Sequence, residues 1–407
     1  MKETKTLTVV FASDLCTSYI RGTMSETDFR ALYRDVFPIL SGADFSIVNL
    51  ECPIRTGTDG EPIVKSGPNL WGTPSDLSAV TVPGFDCVTL ANNHFGDFGA
   101  PGVLSTLRYL ADAGVAYIGG GDNLAAAYRA YRLEGRGCRL SFLSVCENEF
   151  GCAGEGSPGS AGFNLARLSE RIREERGDGR RVVVIFHGGN ERDPLPSPDT
   201  VDRYRVIVNL GADAVIAMHT HCMQGYEYYR GAPIVYSMGN FFFPHAGKEG
   251  DPTDREALAW NRGYMVRMTV PSEGKIGIKP IPYVLEQDAP LLRVYRGEER
   301  EAMLAYLSRL SAPIVDRAEL SRYFDAWCLG EGERYARSGL FYHPDAWESG
   351  SPSDEERRML VRTRNLFSCE AHDSLLRNLL LTLLDPDRFQ RAKETVPALE
   401  ALKGPGF

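Results

Sequence analysis

The sequence has no apolar run that approaches the roughly 20 residues needed to cross a bilayer. Its opening stretch, Met1 to Thr8, also lacks the charged start, apolar middle and small-residue cleavage site of a signal peptide. No run rich in Lys or Arg is present and the formal net charge is −9, so the chain offers no electrostatic footprint for nucleic acid. We therefore expect a cytoplasmic protein with no membrane span and no nucleic-acid partner.

The nine cysteines are odd in number and include no Cys-x-x-Cys pair. This spacing argues against both a disulfide framework and a zinc–thiolate motif. Several of these cysteines lie inside apolar runs, where they are expected to be small buried side chains in a reducing compartment.

Histidine is scarce, with seven in the chain, and the placement of His187 is informative. The preceding residues, Val182 to Phe186, are apolar without alternation, which is typical of a strand buried on both faces. His187 then follows the carboxyl end of this predicted strand. Ligands of open α/β sheets bind beyond such ends, so His187 is a candidate site residue.

The same arrangement recurs at four other predicted strand ends, and each delivers residues of metal-ligand type. These candidates are Asp14, Glu51, Asn93 with His94, and His219 with His221. Carboxylate, amide and imidazole donors together suit Mn²⁺, Fe²⁺ or Zn²⁺. A bridging carboxylate could hold two such ions about 3.5–4 Å apart. His219 and His221 can face one site only if the backbone turns between them.

Taken singly, each candidate has a simpler explanation. An Asp at a strand end is often a turn or helix cap, an Asn-His pair often serves loop hydrogen bonding, and His-Thr-His could lie on the surface. However, four of the seven histidines follow strand ends within one α/β region. This concentration favours a joint metal site over coincidence.

Strands and helices alternate up to about residue 285, whereas only helical periodicity follows. We therefore predict two units, a site-bearing domain over 1–289 and a helical C-terminal extension over 290–407. The extension is expected to pack on the first unit and to contribute no metal ligand. Its two histidines, His343 and His372, are expected at the surface.

The motifs together resemble the CapA-type poly-γ-glutamate capsule biosynthesis proteins, a branch of the calcineurin-like metallophosphoesterases. The resemblance covers about residues 7–285. It is carried by Asp14, Asn49-Leu50-Glu51, Asn92-Asn93-His94 with Asp97 and Gly99, His187-Gly-Gly-Asn-Glu191, His219-Thr-His221 with Gln224, and Tyr236 to Phe241.

This resemblance implies an α/β (α+β) fold, a four-layer αββα sandwich with two mixed sheets face to face, here with a helical appendage. It also implies roles by position. Asp14 would be the first-motif aspartate, Glu51 would replace a bridging aspartate, and Asn93 would be a ligand with His94 beside the leaving group. The remaining imidazole ligands would be His187, His219 and His221.

Cys16 departs from the phosphoesterase pattern, which usually has a histidine two residues after the first aspartate. A ligand role for this thiol and a site with one protein ligand fewer both remain open. Asn92, Glu191 and Asn240 follow strand ends next to ligand positions, so we expect them to contact substrate. The alternative for Glu191 and Asn240 is a buried structural pair.

Our leading hypothesis is a metal-dependent hydrolase of the metallophosphoesterase type, with one or two divalent ions per chain. It would act on a phosphate ester or a related small anionic substrate, with metal-activated water as the nucleophile and His94 as the catalytic residue. The second hypothesis is an enzyme of poly-γ-glutamate, γ-glutamyl amide or capsule biosynthesis. The third is a non-catalytic metal-binding module of such a complex, with biosynthetic partner proteins.

Overall fold

The computed structural model describes residues 6–244, 259–286, 291–336 and 353–404. In chain order, the strands of this part are β1 (Thr6–Leu15), β2 (Phe45–Leu50), β3 (Cys87–Thr89), β4 (Ala116–Ile118), β5 (Gly120–Gly121), β6 (Tyr131–Gly135), β7 (Cys138–Cys146), β8 (Gly159–Ser160), β9 (Arg181–His187), β10 (Ala214–Met218), β11 (Tyr226–Tyr229), β12 (Ala232–Val235), β13 (Asn240–Phe242), β14 (Arg262–Pro271), β15 (Gly277–Glu286) and β16 (Leu291–Val294). The α-helices are α1 (Glu26–Leu32), α2 (Phe37–Leu40), α3 (Ser78–Thr81), α4 (Gly99–Asp112), α5 (Leu124–Ala127), α6 (Leu165–Gly177), α7 (Pro198–Asn209), α8 (Gly297–Ser311), α9 (Arg317–Ala336), α10 (Asp354–Ser368), α11 (Glu370–Leu384) and α12 (Pro386–Leu402).

The first sheet contains eight strands in the described residues, in the order β16-β15-β14-β1-β2-β3-β4, with β13 paired to β1. β1 to β4 are parallel, whereas β14 to β16 are added antiparallel. The register between β1 and β2 shifts after Phe11 and resumes where Asp14 pairs with Asn49. Such an irregularity bends the strand and re-aims side chains. It lies at the strand end that delivers Asp14.

The second sheet contains six strands in the part of the chain that the structure describes, in the order β11-β12-β10-β9-β7-β6. β7, β9, β10 and β12 are parallel, and the outer strands β6 and β11 are antiparallel to their neighbours. His187, the last residue of β9, pairs with Cys146 of β7 and Met218 of β10. The three strands therefore end level with one another, and the residues after them emerge at one edge.

Apolar side chains from both sheets interdigitate between them. Phe142 of the second sheet contacts two aromatic rings of the first, Phe11 at 6.1 Å and Phe45 at 5.9 Å between ring centroids. Ile47, Ile185 and Ile216 are buried in the same cluster. Burying each large side chain of this kind contributes about 1.5–3 kcal/mol to folding. The two sheets thus pack face to face around a shared core.

Helices cover the outer face of each sheet. Phe29 and Leu32 of α1 are buried against the first sheet, and Ile172 of α6 and Tyr204 of α7 are buried against the second. Side chains cap these helices as their sequences predict: Ser25 and Asp28 form a capping box at α1, and Ser197 caps α7. The predicted four-layer αββα sandwich is confirmed.

The helical extension begins later than residue 290 and is joined to the sandwich. Strand β16 still pairs with β15, and α8 places Met303 and Leu307 in the core between the sheets. Beyond it, α9, α11 and α12 share a smaller core around Trp327 and Leu379. The division into two units stays a prediction. Among the described residues, no helix is both long and apolar enough to span a membrane.

Candidate metal centre

The predicted strand ends converge on one place between the two sheets. The first sheet delivers Asp14 from the end of β1 and Glu51 directly after β2. The second sheet delivers His187 at the end of β9, and His219 and His221 follow β10. All five residues are buried. Because parallel strands end at the same edge, these residues meet although they are far apart in sequence.

Glu51 lies at the centre of this group. Possible ligand atoms of Glu51, His187 and His219 lie within 4.8 Å of one another, and the same holds for Asp14, Glu51 and His221. Both carboxylate oxygens of Glu51 are buried and have no hydrogen-bond partner among the described residues. A buried carboxylate without a partner is costly, and such groups normally pair or bind metal. The shared position is the geometry expected of a carboxylate that bridges two ions.

Nitrogen and oxygen donors crowd around Nε2 of His187. This atom lies 2.9 Å from Nδ1 of His219, 3.1 Å from Oδ1 of Asn93 and 3.6 Å from Oε1 of Glu51. Four donors this close to one another suit a shared cation. Asn93 is therefore placed beside the group formed by Glu51, His187 and His219.

The second group is built around Asp14 and His221. Nε2 of His221 lies 3.8 Å from Oε1 of Glu51, and its Nδ1 lies 3.9 Å from Oδ2 of Asp14. Asp14 is oriented by Asn49, which donates to Oδ1 at 2.8 Å, and by the backbone N–H of His219, which donates to Oδ2 at 3.1 Å. These bonds hold the carboxylate towards the imidazoles.

The His-Thr-His segment supplies the backbone turn that its spacing requires. His219 has φ of +112° and His221 has φ of +56°, a region that non-glycine residues rarely adopt. Strained backbone of this kind persists where surrounding structure holds it, often at functional sites. The turn brings both imidazoles to Glu51 despite their separation of two residues.

The electrostatics of the centre favour a bound cation. Burial raises the pKa of Asp14, and it raises the pKa of Glu51 well above its usual value with help from the charges of Asp14 and Glu191. Burial also lowers the pKa of His187 well below its usual range and that of His219 to about 3. The imidazoles of His187 and His219 are thus neutral near pH 7, which is the metal-binding form. A divalent ion would supply the positive charge that keeps the carboxylates ionised, so the donor set fits such an ion.

Asn92 and Asn240, both expected to contact substrate, use their carboxamides within the protein. Asn92 donates to the backbone oxygen of Leu50 at 2.9 Å and accepts from the backbone N–H groups of His94 and Phe95. Oδ1 of Asn240 lies 2.9 Å from Nδ1 of His221. Contacts to the second ring nitrogen commonly orient a metal-bound histidine. These contacts favour positioning roles, and substrate contact by either residue stays a prediction.

His94 lies beside the metal ligands but bonds in another direction. Its Nδ1 lies 2.8 Å from Oδ2 of Asp97 and 3.0 Å from Nζ of Lys65. Lys65 also forms an ion pair with Asp97, and its side chain is 2% exposed. Burial and the charge of Lys65 lower the pKa of His94, while Asp97 opposes this shift. Both contacts involve Nδ1 of the His94 ring.

Residue-by-residue reading of the sequence did not single out Lys65. The sequence feature that could have pointed to Lys65 is the long Gly- and Pro-containing loop between Arg55 and Pro74. A loop of this length is uncommon without a function. Two aromatic residues were also missed: Trp260 and Phe243 pack against His221 at ring-centroid distances of 4.7 Å and 5.2 Å. They form an apolar side of the site.

Glu191 stands at the exposed rim of the centre. Surrounding protein atoms raise the pKa of its carboxylate, but His221, His219, His94 and His372 outweigh them and lower it to about 2. Glu191 is therefore an anion that faces the imidazoles. This position is compatible with a role in binding substrate or a cation, and that role stays a prediction.

The fold and the site together define a four-layer α/β sandwich with buried His, Glu and Asp clusters able to hold metal ions. Residues 8–245 match the family described as bacterial capsule synthesis protein PGA_cap, and the chain belongs to this family.

Three curated relatives share this region. The chain is 28% identical over 251 residues to the capsule biosynthesis protein CapA of Bacillus anthracis, covering 60% of this chain and 61% of that protein. It is 25% identical over 242 residues to the PGA biosynthesis protein CapA of Bacillus subtilis (strain 168), covering 58% of this chain and 63% of that protein. It is 26% identical over 264 residues to a probable polyglutamine synthesis accessory protein of Mycobacterium tuberculosis, covering 61% of this chain and 68% of that protein. The chain thus spans about three fifths of the length of the two Bacillus relatives.

Proposed function

We propose that this protein is a metal-dependent hydrolase of a phosphate ester or a related anionic substrate. The observation that carries the proposal is the position of Glu51, whose buried carboxylate has no hydrogen-bond partner among the described residues and is shared by two groups of possible ligands. Asp14, Glu51, Asn93, His187, His219 and His221 would hold one or two ions of Mn, Fe or Zn. When bound, such ions offset charge on a phosphoryl group and lower the pKa of water.

The residues around the centre would perform the remaining chemistry. Water would form a bond to phosphorus and lose a proton to solvent, while the bond from phosphorus to the leaving oxygen breaks. His94 would donate a proton from Nε2 to that oxygen, because Asp97 and Lys65 both lie on the Nδ1 side of the ring. Lys65 stabilises the Asp97 carboxylate behind the ring. His94 thus provides the general acid for this step.

The second candidate function is a reaction in capsule or poly-γ-glutamate biosynthesis, and family membership supports it as well as it supports hydrolysis. Such a reaction would use the same centre for a substrate that bears a carboxylate or an acyl phosphate. A third candidate is a metal-binding accessory module, a role suggested by the name of the Mycobacterium tuberculosis relative.

One experiment separates these candidates. Protein purified without chelators is assayed for metal content and then tested with Mn²⁺, Fe²⁺ or Zn²⁺ against phosphomonoesters, phosphodiesters and acyl phosphates. Glu51→Gln and His94→Ala serve as matched variants. Metal-dependent ester hydrolysis that both variants lose supports the leading proposal. Turnover of acyl phosphates alone favours the biosynthetic reaction, and metal binding without any turnover favours the accessory module.

A further inference from the structure

The helical extension reaches the neighbourhood of the metal centre at the start of α11. Glu370 accepts hydrogen bonds from the backbone N–H of Asn148 at 3.0 Å and from its side chain at 2.6 Å. Arg364 of α10 donates to the backbone oxygen of Glu149 at 3.3 Å. These bonds fasten the helical extension to the loop after β7. The same contact brings side chains of both parts together.

Three of these side chains are of metal-ligand type. A carboxylate oxygen of Glu149, Sγ of Cys369 and a ring nitrogen of His372 lie within 4.8 Å of one another. Cys369 is buried, and Glu149 and His372 are partly buried. Asn365 contacts Nδ1 of His372 at 3.3 Å, and such contacts commonly fix the orientation of a metal-bound imidazole. His372 is therefore not the surface residue that the sequence led us to expect; His343 lies outside the described residues.

Two glutamates lie beside the thiol, and their surroundings differ. Sγ of Cys369 is 3.5 Å from Oε2 of Glu147 and 3.6 Å from Oε1 of Glu149. Arg203 forms an ion pair with Glu147 at 2.8 Å. Glu149 has no ion pair among the described residues, and its other side-chain hydrogen bond there, from Asn93, is long at 3.4 Å. Glu149 therefore lacks the close ion pair that Glu147 has.

We propose that Glu149, Cys369 and His372 bind a divalent cation that joins the helical extension to the sandwich. One sulfur, one nitrogen and one oxygen donor suit a borderline ion such as Zn²⁺, and they suit Mg²⁺ or Mn²⁺ poorly. Three protein ligands leave a fourth position of a tetrahedral ion for water or substrate.

The proposed site is a neighbour of the Glu51 centre and is separate from it. Asn93 links the two, because its Oδ1 lies 3.1 Å from His187 and its Nδ2 donates to Glu149. The inference does not depend on the proposed hydrolase activity, since it concerns a different set of ligands. The competing explanation is that the thiol of Cys369 donates weak hydrogen bonds to the two glutamates and that no ion binds.

The test uses the full chain, stripped of metal and reloaded with Co²⁺ or Zn²⁺. A thiolate bound to Co²⁺ gives a near-ultraviolet charge-transfer band that oxygen and nitrogen ligands do not give. We expect this band in the wild-type protein and in Glu51→Gln, and we expect its loss in Cys369→Ser. The zinc content of Cys369→Ser should fall by one ion per chain.

Cys16→Ser is the matched control, because this second buried thiol lies near the Glu51 centre and belongs to none of the ligand groups among the described residues. It should keep the band. If Cys369→Ser does not fold, Glu149→Gln and His372→Gln take its place and should weaken Zn²⁺ binding at least about tenfold. A wild-type protein without the band, or variants with unchanged zinc content and affinity, would overturn the proposal.

Discussion

Oε1 of Glu51 and Nε2 of His187 lie 3.6 Å apart, although Glu51 follows a strand of one sheet and His187 ends a strand of the other. Carboxylates therefore enter the centre from the first sheet and imidazoles enter it from the second. Any ion bound there would connect the two halves of the sandwich, so metal content and folding stability should be linked.

Metal loading should accordingly stabilise the protein. A metal present at 100 times its dissociation constant should raise the free energy of unfolding by about 2.7 kcal/mol. Glu51→Gln should abolish most of this gain. Without metal, the variant should be at least as stable as the wild type, because it removes a buried carboxylate that has no hydrogen-bond partner among the described residues. Thermal unfolding with and without a chelator measures both effects, and an unchanged metal-dependent shift in Glu51→Gln would contradict the assignment.

The three imidazoles should each be needed for metal retention. Single alanine variants of His187, His219 and His221 should bind metal at least about 10–100-fold more weakly, the loss seen even for groups that only orient ligands. His187 and His219 belong to one ligand group and His221 belongs to the other. The alanine variants of His187 and His219 should therefore weaken binding of the same ion. Titration with Mn²⁺, which suits the Cys369 site poorly, checks this, and a triple variant that binds stoichiometric Mn²⁺ would show that the site lies elsewhere.

His94 should matter for turnover more than for metal binding. If the protein hydrolyses esters, His94→Ala should keep its metal and lose about 10²–10⁴ in rate, the usual contribution of a positioned general acid. The loss should be smaller for a substrate with a good leaving group, because such a group leaves without a proton. Rates for two esters of different leaving-group pKa, measured with metal content, test this. Equal losses for both esters, or loss of metal, would count against the role.

Asn92 should act on stability. Its carboxamide is fully buried and engages Leu50, His94 and Phe95. Asn92→Ala leaves buried backbone groups without partners, which should lower the free energy of unfolding by about 1–3 kcal/mol. Denaturant unfolding provides the measurement. A normally stable variant with a raised KM would instead support the substrate contact expected from the sequence.

Cys16 should not be a ligand of the Glu51 centre. Burial and a neighbouring thiol, Cys52, raise the pKa of Cys16 well above its usual value, so it is a protonated, buried side chain in the absence of metal. Cys16→Ser should keep the metal content of the wild type. Loss of an ion would identify Cys16 as a ligand. A gain in occupancy in Cys16→His would show that position 16 faces the site.

The centre could be anticipated from sequence because its signals are local. Strands β9 and β10 each contain an unbroken apolar run that ends directly at a histidine, so strand and site residue are encoded within a few residues. His187 and the His219–His221 pair both follow such runs. The two-residue spacing of His219 and His221 also requires a backbone turn, which their positive φ angles supply.

Other features depend on contacts that local patterns do not record. Lys65 approaches His94 from a distant loop, and His372 approaches Glu149 from another part of the fold. Phe29, Leu32, Tyr33 and Phe37 fall at helical spacing in the sequence, yet α1 ends at Leu32 and a separate helix begins at Phe37. Pro38 has no N–H to donate within a continuous helix, which accounts for the break.

The pairing of β14 with β1 bears on which fragment of the chain can be produced alone. The family match ends at residue 245, whereas β14 begins at Arg262 and pairs with β1 from Thr6 to Phe11. A fragment that ends at residue 245 would lack β14. The backbone of β1 from Thr6 to Phe11 would then be an unpaired strand edge. Open edges of this kind recruit other strands and promote aggregation. The region recognised by homology is therefore shorter than the smallest unit expected to stay monomeric.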